Sequence, residues 1–206
     1  VKMVMTRDEV FRATGPTSGT NVHIKIGTTK DGKITAAQAV MNYQAGAFAG
    51  SSLPLAAITV FTRYDLENVL VTGFDVTSNR PKVAAYRAPG APMVAFGVES
   101  VIDEIAEALK IDPVELRLLN AAKEGTRASY GPTYGPIGIG PTLRAAKNHP
   151  HMRARLKKNQ GRGMACGFWF NFGGQTCTDL NIGVDGTVSL AVGTVDVGGS
   201  RAALSL

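Results

Sequence analysis

The chain carries two cysteines, three histidines and one tryptophan in 206 residues. Cys166 and Cys177 form no CxxC pair, which excludes a disulfide framework and a cysteine-ligated zinc site and points to a reducing compartment. His149 and His151 flank Pro150 with no cysteine or carboxylate close by in sequence, so no metal ligand is expected from the chain itself. No run of eighteen apolar residues marks a membrane span, and no basic segment followed by an apolar one marks a secretory signal; a cytoplasmic location is expected. A P-loop, a GxGxxG fingerprint, HExxH and a Ser-His-Asp set are all missing. Chemistry on this chain therefore points to a cofactor.

What is present describes a folded globule. Apolar residues make up 44% and charged residues 18%, and a chain this long buries roughly 70% of its unfolded surface. The net charge of +6 is modest. Its clearest cluster, Arg153, Arg155, Lys157, Lys158 and Arg162, lacks interleaved aromatics, as suits a solvated tether and no nucleic-acid partner. The chain opens on Val1-Lys2-Met3-Val4-Met5 without an initiator methionine and closes on Ser200 to Leu206, which resembles the first turns of an unfinished helix. A piece of a longer protein is expected.

Local patterns predict the elements. Val1–Thr6 alternates as a strand, and Thr6 with Glu9 makes a capping box for a helix near Asp8–Ala13. Asn21–Thr29 and Ile34–Tyr43 form a hairpin through Asp31-Gly32. Leu53–Phe61 is helical from Pro54, and Leu66–Ser78 is a strand running on toward Tyr86. From about Met93 to Leu109, Val94, Val98, Val101, Ile102, Ile105 and Leu109 build an apolar helical stripe. Asp112-Pro113-Val114-Glu115 caps a second helix carrying Leu116 and Leu119. Residues 126–141 form a Gly/Pro/Tyr-rich loop, and 141–159 two helical pieces broken at Pro150. Met164–Phe172 and Gln175–Val184 are strands, with Asp185-Gly186 turning the latter into Thr187–Val192. Blocks of helices and strands with hairpins predict an α+β fold of mostly antiparallel sheets with packed helices.

Three places suggest a site. Ala84-Ala85-Tyr86-Arg87-Ala88-Pro89-Gly90-Ala91-Pro92 sets an arginine in a Gly/Pro turn before a long helix, and a guanidinium fork suits an oxyanion or a cofactor oxygen; the alternative is a helix entry with a solvated arginine. Gly198-Gly199-Ser200 opens the last helix, where backbone N–H groups can meet an anion and Arg201 can reach the same ligand; the alternative is a turn capped by Ser200. Phe168-Trp169-Phe170-Asn171-Phe172 is either core or the wall of a flat pocket with Asn171 as its polar group. Glu99 falls with Asp103, Glu104 and Glu107 on the solvated helix face, which removes it as a catalytic glutamate.

Taken in order, the Tyr86-Arg87 turn with its helix and Asp112-Pro113-Val114-Glu115-Leu116-Arg117, the aromatic segment from Gly163 to Gly174, and Gly193 to Arg201 resemble the molybdopterin-binding large subunit of the xanthine dehydrogenase/aldehyde oxidase family. The resemblance implies a molybdenum hydroxylase that inserts a water-derived oxygen into aldehydes, N-heterocycles or related small molecules. Arg87 takes the place of an arginine in the substrate pocket or beside the molybdenum, with Tyr86 and either Phe168 or Trp169 lining the pocket. Gly198, Gly199, Ser200 and Arg201 become cofactor neighbours. The implied cofactor is molybdenum–molybdopterin, with a cytosine dinucleotide form as one option; iron–sulfur clusters and FAD belong to partner subunits or domains. Residues 1–148 form a first α+β cofactor-binding region, 149–162 a basic linker and 163–206 the start of a second region.

The sequence departs from the family pattern at three positions. Gly199 stands where many members carry glutamine, Met93 where glutamine is common, and Ala88 where the copper-containing carbon monoxide dehydrogenases carry cysteine, which argues against that activity. A glycine loop upstream and the general-base glutamate near the C-terminus of the family are not in the sequence, so this piece alone is expected to be inactive. The alternatives are a non-catalytic relative or assembly module of the same fold and, more distantly, a basic polyanion-binding domain.

Overall fold

A computed structural model describes residues 1–170 and 174–205. The chain divides into two units, Val1–Trp169 and Phe170–Leu206.

The first unit is built on a three-stranded sheet of order β1-β2-β3, with β1 at Thr20–Thr28, β2 at Ile34–Gly46 and β3 at Val69–Thr77. β1 and β2 form the antiparallel hairpin that Asp31-Gly32 predicts, with Gly32 at φ 88°. β2 and β3 pair in parallel, and the crossover between them carries α2, Leu53–Thr59. That parallel pair is where the sheet departs from a purely antiparallel reading: a single βαβ unit is hidden among hairpins. The remainder is α+β as expected.

Helices pack on one face of this sheet. Alternate residues of β2, Ala39, Met41 and Tyr43, are wholly buried, and they share one core cluster with Val94, Val98 and Ile102 of α3, Ala91–Leu109. Ala56, Val60 and Phe61 close the core from α2 and the turn after it. Burying an aliphatic or aromatic side chain stabilises by about 1.5–3 kcal/mol relative to exposure, so this layer orders the unit. α4, Pro113–Asn120, starts where Asp112 accepts hydrogen bonds from Val114 and Glu115 N–H, the cap its sequence announces. Asn120, at the end of α4, accepts from Ile34 N–H and donates to Gly32 O, tying that helix to the hairpin. α1, Arg7–Ala13, has both bonds of the Thr6/Glu9 capping box. α5 and α6, Ile139–Asn148 and Pro150–Arg153, are the two pieces divided at Pro150.

Several strand expectations fail for one physical reason. Val1–Thr6 has no strand and is exposed, β3 ends at Thr77 without running on to Tyr86, and residues 164–170 form no strand. Alternation marks a chain able to pair, and a strand needs a regular ladder; among the described residues Val1–Thr6 and 164–170 lie in none, and the chain after Thr77 keeps only scattered backbone bonds to Gly46, Ala47, Ala45 and Pro16. Asn171 and Phe172 lie outside the described residues. Leu119 is 47% exposed while Leu116 is sealed, because only one stripe of α4 faces the core.

The second unit holds an antiparallel hairpin, β4 at Thr178–Ile182 and β5 at Val188–Val192. Asp185-Gly186 turns it, and the Asp185 carboxylate accepts from both the N–H and the hydroxyl of Thr187. A glycine loop then leads to α7, Ser200–Ser205.

Candidate functional site

The Arg87 turn is fastened at both ends. On its upstream side Val83 N–H donates to Ala45 O and Ala84 N–H to Pro16 O, while Gly46, at φ 80°, lets Pro81 pass so closely that a Cβ there would stand 2.2 Å from Pro81 O. On its downstream side the Tyr43 hydroxyl donates to Gly90 O at 3.0 Å inside the core. Burial, with Tyr86 nearby, pushes the Tyr43 phenol well above the ordinary tyrosine range, so it remains a donor. Gly90 is left-handed at φ 79°, and a Cβ on it would come 2.6 Å from Ser52 O. Only glycine meets both demands.

Between these anchors Arg87 is exposed. Tyr86 is 46% exposed, its hydroxyl 3.8 Å from Met93 Sδ. Ala88 sits at φ 60°, a left-handed conformation that costs an L-residue about 1–2 kcal/mol. Its carbonyl accepts from Ala91 N–H. The loop packed beside the turn is itself tied down. The Asp75 carboxylate accepts from Gly50 and Ser51 N–H at 2.6 and 3.0 Å, and Lys82 Nζ donates to Gly50 O. Those bonds, Gly50's first, hold the Asp75 carboxyl below its usual range. Tyr43, Gly46 and Asp75 are support that sequence reasoning missed, since each acts across a distance that local pattern does not encode.

Glu99 corrects an expectation. It is 4% exposed, not solvated. Its Oε1 accepts from the Tyr64 hydroxyl at 2.6 Å and Arg63 Nε at 3.3 Å, and its Oε2 accepts from Arg117 Nε at 2.8 Å and Cys166 N–H at 2.9 Å. The Arg117 guanidinium also pairs with Asp103 at 2.8 Å. Burial alone would lower the Arg117 pKa, but Glu99 together with Tyr64 and Asp103 more than offsets it and the net shift is upward. Burial also raises the Tyr64 phenol, with the Glu99 charge adding to it. One signal was available: Glu99 lies only about 20° around the helix from the buried Ala106. A charge at that edge is buried when arginines on α4 and after α2 arrive to pair with it.

Phe168 and Trp169 are both half-buried at the end of the first unit. The Cys166 N–H bond to Glu99 docks their segment on α3, whose N-terminus Tyr86 and Arg87 precede. The Cys166 thiol is raised by burial and then by the Glu99 charge, against the opposing pull of Arg117 and Arg63.

In the second unit Gly198 and Gly199 have φ 107° and 91°, and a Cβ on Gly199 would meet nothing within 4 Å. Gly198 and Ser200 N–H donate to Asp196 Oδ1 at 3.0 and 3.2 Å, so the loop's own carboxylate takes these two amides. Arg201 Nε stands 3.9 Å from Asp196 Oδ2. A cleft of about 710 Å³ beside the loop is lined by Leu190, Thr194, Asp196, Ser200 and Arg201. An aspartate two residues before a glycine pair is the local signal for such a turn.

Among the described residues no three His, Cys, Asp or Glu side chains gather as a metal site requires, and no helix is long and apolar enough to cross a membrane. In the basic segment, Arg162 is folded back on the Met152 and Ala154 carbonyls.

Residues 1–121 match the model of the molybdopterin cofactor-binding domain. The nicotinate dehydrogenase large molybdopterin subunit of Eubacterium barkeri is 31% identical over 151 residues, 71% of this chain and 36% of that subunit. The xanthine dehydrogenase molybdenum-binding subunit of Escherichia coli O157:H7 is 28% identical over an alignment covering 96% of this chain and 29% of that protein. The chain thus spans about a third of the length of these relatives. Among solved structures, the aldehyde oxidoreductase of Desulfovibrio desulfuricans superposes with a TM-score of 0.71 at 26% identity, over 85% of this chain and 21% of that one.

Proposed function

The chain belongs to the molybdopterin cofactor-binding domain family, and from that premise we propose that it is part of the large subunit of a cytoplasmic molybdenum hydroxylase acting on aldehydes, N-heterocycles or related small molecules. The observation that carries the reading is the Arg87 turn, an exposed guanidinium on a loop fastened by Tyr43, Gly46 and Gly90. A backbone held this firmly carries the arginine with little loop reorganisation toward negative charge developing on a substrate or cofactor oxygen. Losing one such preorganised donor costs about 3–4 kcal/mol in related cases.

Two features fit a bound molybdopterin. Arg87 lies on the exposed surface of its turn, and Gly199 has clear space where a side chain would stand. When bound, the group supplies the oxygen transfer and takes the electrons. The chain's own residues do the rest. Arg87 orients and balances charge, Tyr86 with Phe168 or Trp169 forms the substrate wall, and Gly198, Gly199, Ser200 and Arg201 neighbour the cofactor. The cytosine dinucleotide form, and iron–sulfur and FAD partners that carry electrons away from the remainder of the subunit, belong to this proposal.

Metal and pterin analysis of the purified full-length subunit tests it. About one molybdenum per subunit, with a releasable pterin, supports the reading. A metal-free, pterin-free subunit that folds normally overturns it in favour of a non-catalytic relative.

A further inference from the structure

We propose that the outer edge of β3 is a strand-addition site, taken in the full-length subunit by an extended segment that lies outside this chain. β3 ends the sheet of order β1-β2-β3. Asn68 O accepts from Ala37 N–H, and Ser78 N–H donates to Gly46 O. The even-numbered residues from Leu70 to Val76 therefore turn their backbone groups toward β2. Both groups of a residue in a parallel ladder point to the same side. The N–H and C=O of Val69, Val71, Gly73 and Asp75 thus face outward, and among the described residues no group bonds to them.

The two faces beside that edge are unequal. α2 and α3 pack on the face of Ala39, Met41 and Tyr43. Leu53 of α2 reaches β3 there, 2.5 Å from where a Cβ on Gly73 would stand. On the opposite face the register sets three rows: Lys25, Gln38 and Leu70; His23, Val40 and Thr72; Asn21, Asn42 and Phe74. Each row is polar at β1, and two of the three are apolar at β3. Leu70, Phe74 and Val76 are 56%, 53% and 42% exposed. Bare edges are normally blunted by lysine, proline, a bulge or short length. β1 has Lys25, whereas β3 runs for nine residues with neither lysine nor proline. Its one charge, Asp75, accepts from Gly50 and Ser51 N–H. A long edge with apolar side chains beside it suits pairing and not water.

The remainder of the same subunit is the occupant. This chain spans 36% and 29% of two relatives it matches, so most of such a subunit is further chain. A second copy joined edge to edge through β3 would bring its own Leu70, Phe74 and Val76 and double the apolar area left in water. A segment of the subunit adds a strand through backbone bonds and continues over the bare face. It is expected to carry apolar residues at alternate positions, extending the stripe of Leu70, Phe74 and Val76. Because Asp75 holds Gly50 and Ser51, the added strand also braces the loop beside the Arg87 turn. Strand addition here depends on the chain being part of a longer subunit, and not on the role of Arg87.

Hydrogen exchange and photo-crosslinking on the purified full-length subunit test the pairing and the occupant. The Val71 and Gly73 amides should exchange within about tenfold of the Thr72 and Phe74 amides, which face β2. Exchange of Val71 and Gly73 at loop rates, with Thr72 and Phe74 protected, overturns the proposal. Phe74→p-benzoylphenylalanine keeps the ring and should cross-link to a peptide of the same subunit outside these 206 residues. A cross-linked dimer of subunits, an adduct within the 206 residues or with a different protein, or no adduct overturns it. If the photoreactive variant does not fold, exchange on the unsubstituted subunit still decides the pairing. A folded subunit free of molybdenum defeats the proposed activity and leaves both readouts standing.

Discussion

Arg117 Nε lies 2.8 Å from Glu99 Oε2, with 0% and 5% of the two side chains exposed. Neither charge is tolerable in the core alone. Removing one partner of a buried pair typically costs about 3–5 kcal/mol, because the other is left uncompensated. Glu99→Ala and Arg117→Ala should each destabilise by about that amount in urea unfolding. The double variant should lose clearly less than the two losses added. Strict additivity would mean that the pair is not an energetic unit.

Gly90→Ala should be among the most damaging single-methyl changes in the chain. The added carbon meets Ser52 O at 2.6 Å and sits at φ 79°. Backbone cannot yield as a side-chain tip can, so a loss of more than about 2 kcal/mol is expected. Thermal melts check the size. A loss under about 0.5 kcal/mol would contradict the close approach that holds the Arg87 turn.

Alkaline pH should find the buried tyrosines. Burial raises Tyr43, Tyr64 and Tyr134 above the ordinary value of 10.0, Tyr134 to about 12. The unfolded chain then releases those protons first. The stabilisation is complete below pH 10 and is lost as pH rises through the folded values. Absorbance at 295 nm should show three of the five tyrosines ionising late and together with loss of structure. Titration of all five in one step near pH 10 would contradict this.

Local signals were legible in the sequence and non-local ones were not. The Thr6–Glu9 box, the Asp31-Gly32 and Asp185-Gly186 turns, the Asp112 cap and the stripe of α3 each act within a few residues and reappear as read. The parallel pairing of β2 with β3, the unpaired Val1–Thr6 and the burial of Glu99 depend on what arrives from far along the chain. The site divides in the same way. The Arg87 turn is visible as a Gly/Pro bend, but its fastening by Tyr43 and Asp75 is not. The Gly198-Gly199 loop is visible as glycines, while the use of its amides by Asp196 appears only in three dimensions.

Arg87 is proposed to stand as a cation beside substrate or cofactor oxygen. Steady-state kinetics of Arg87→Met in the full-length subunit, with molybdenum and pterin content measured on the same samples, tests this most directly. The predicted result is a fall in kcat/KM of about 10²-fold or more at unchanged cofactor content, with Arg87→Lys recovering only part of it because an ammonium lacks the planar fork. Wild-type kcat/KM in a fully loaded Arg87→Met subunit would contradict it.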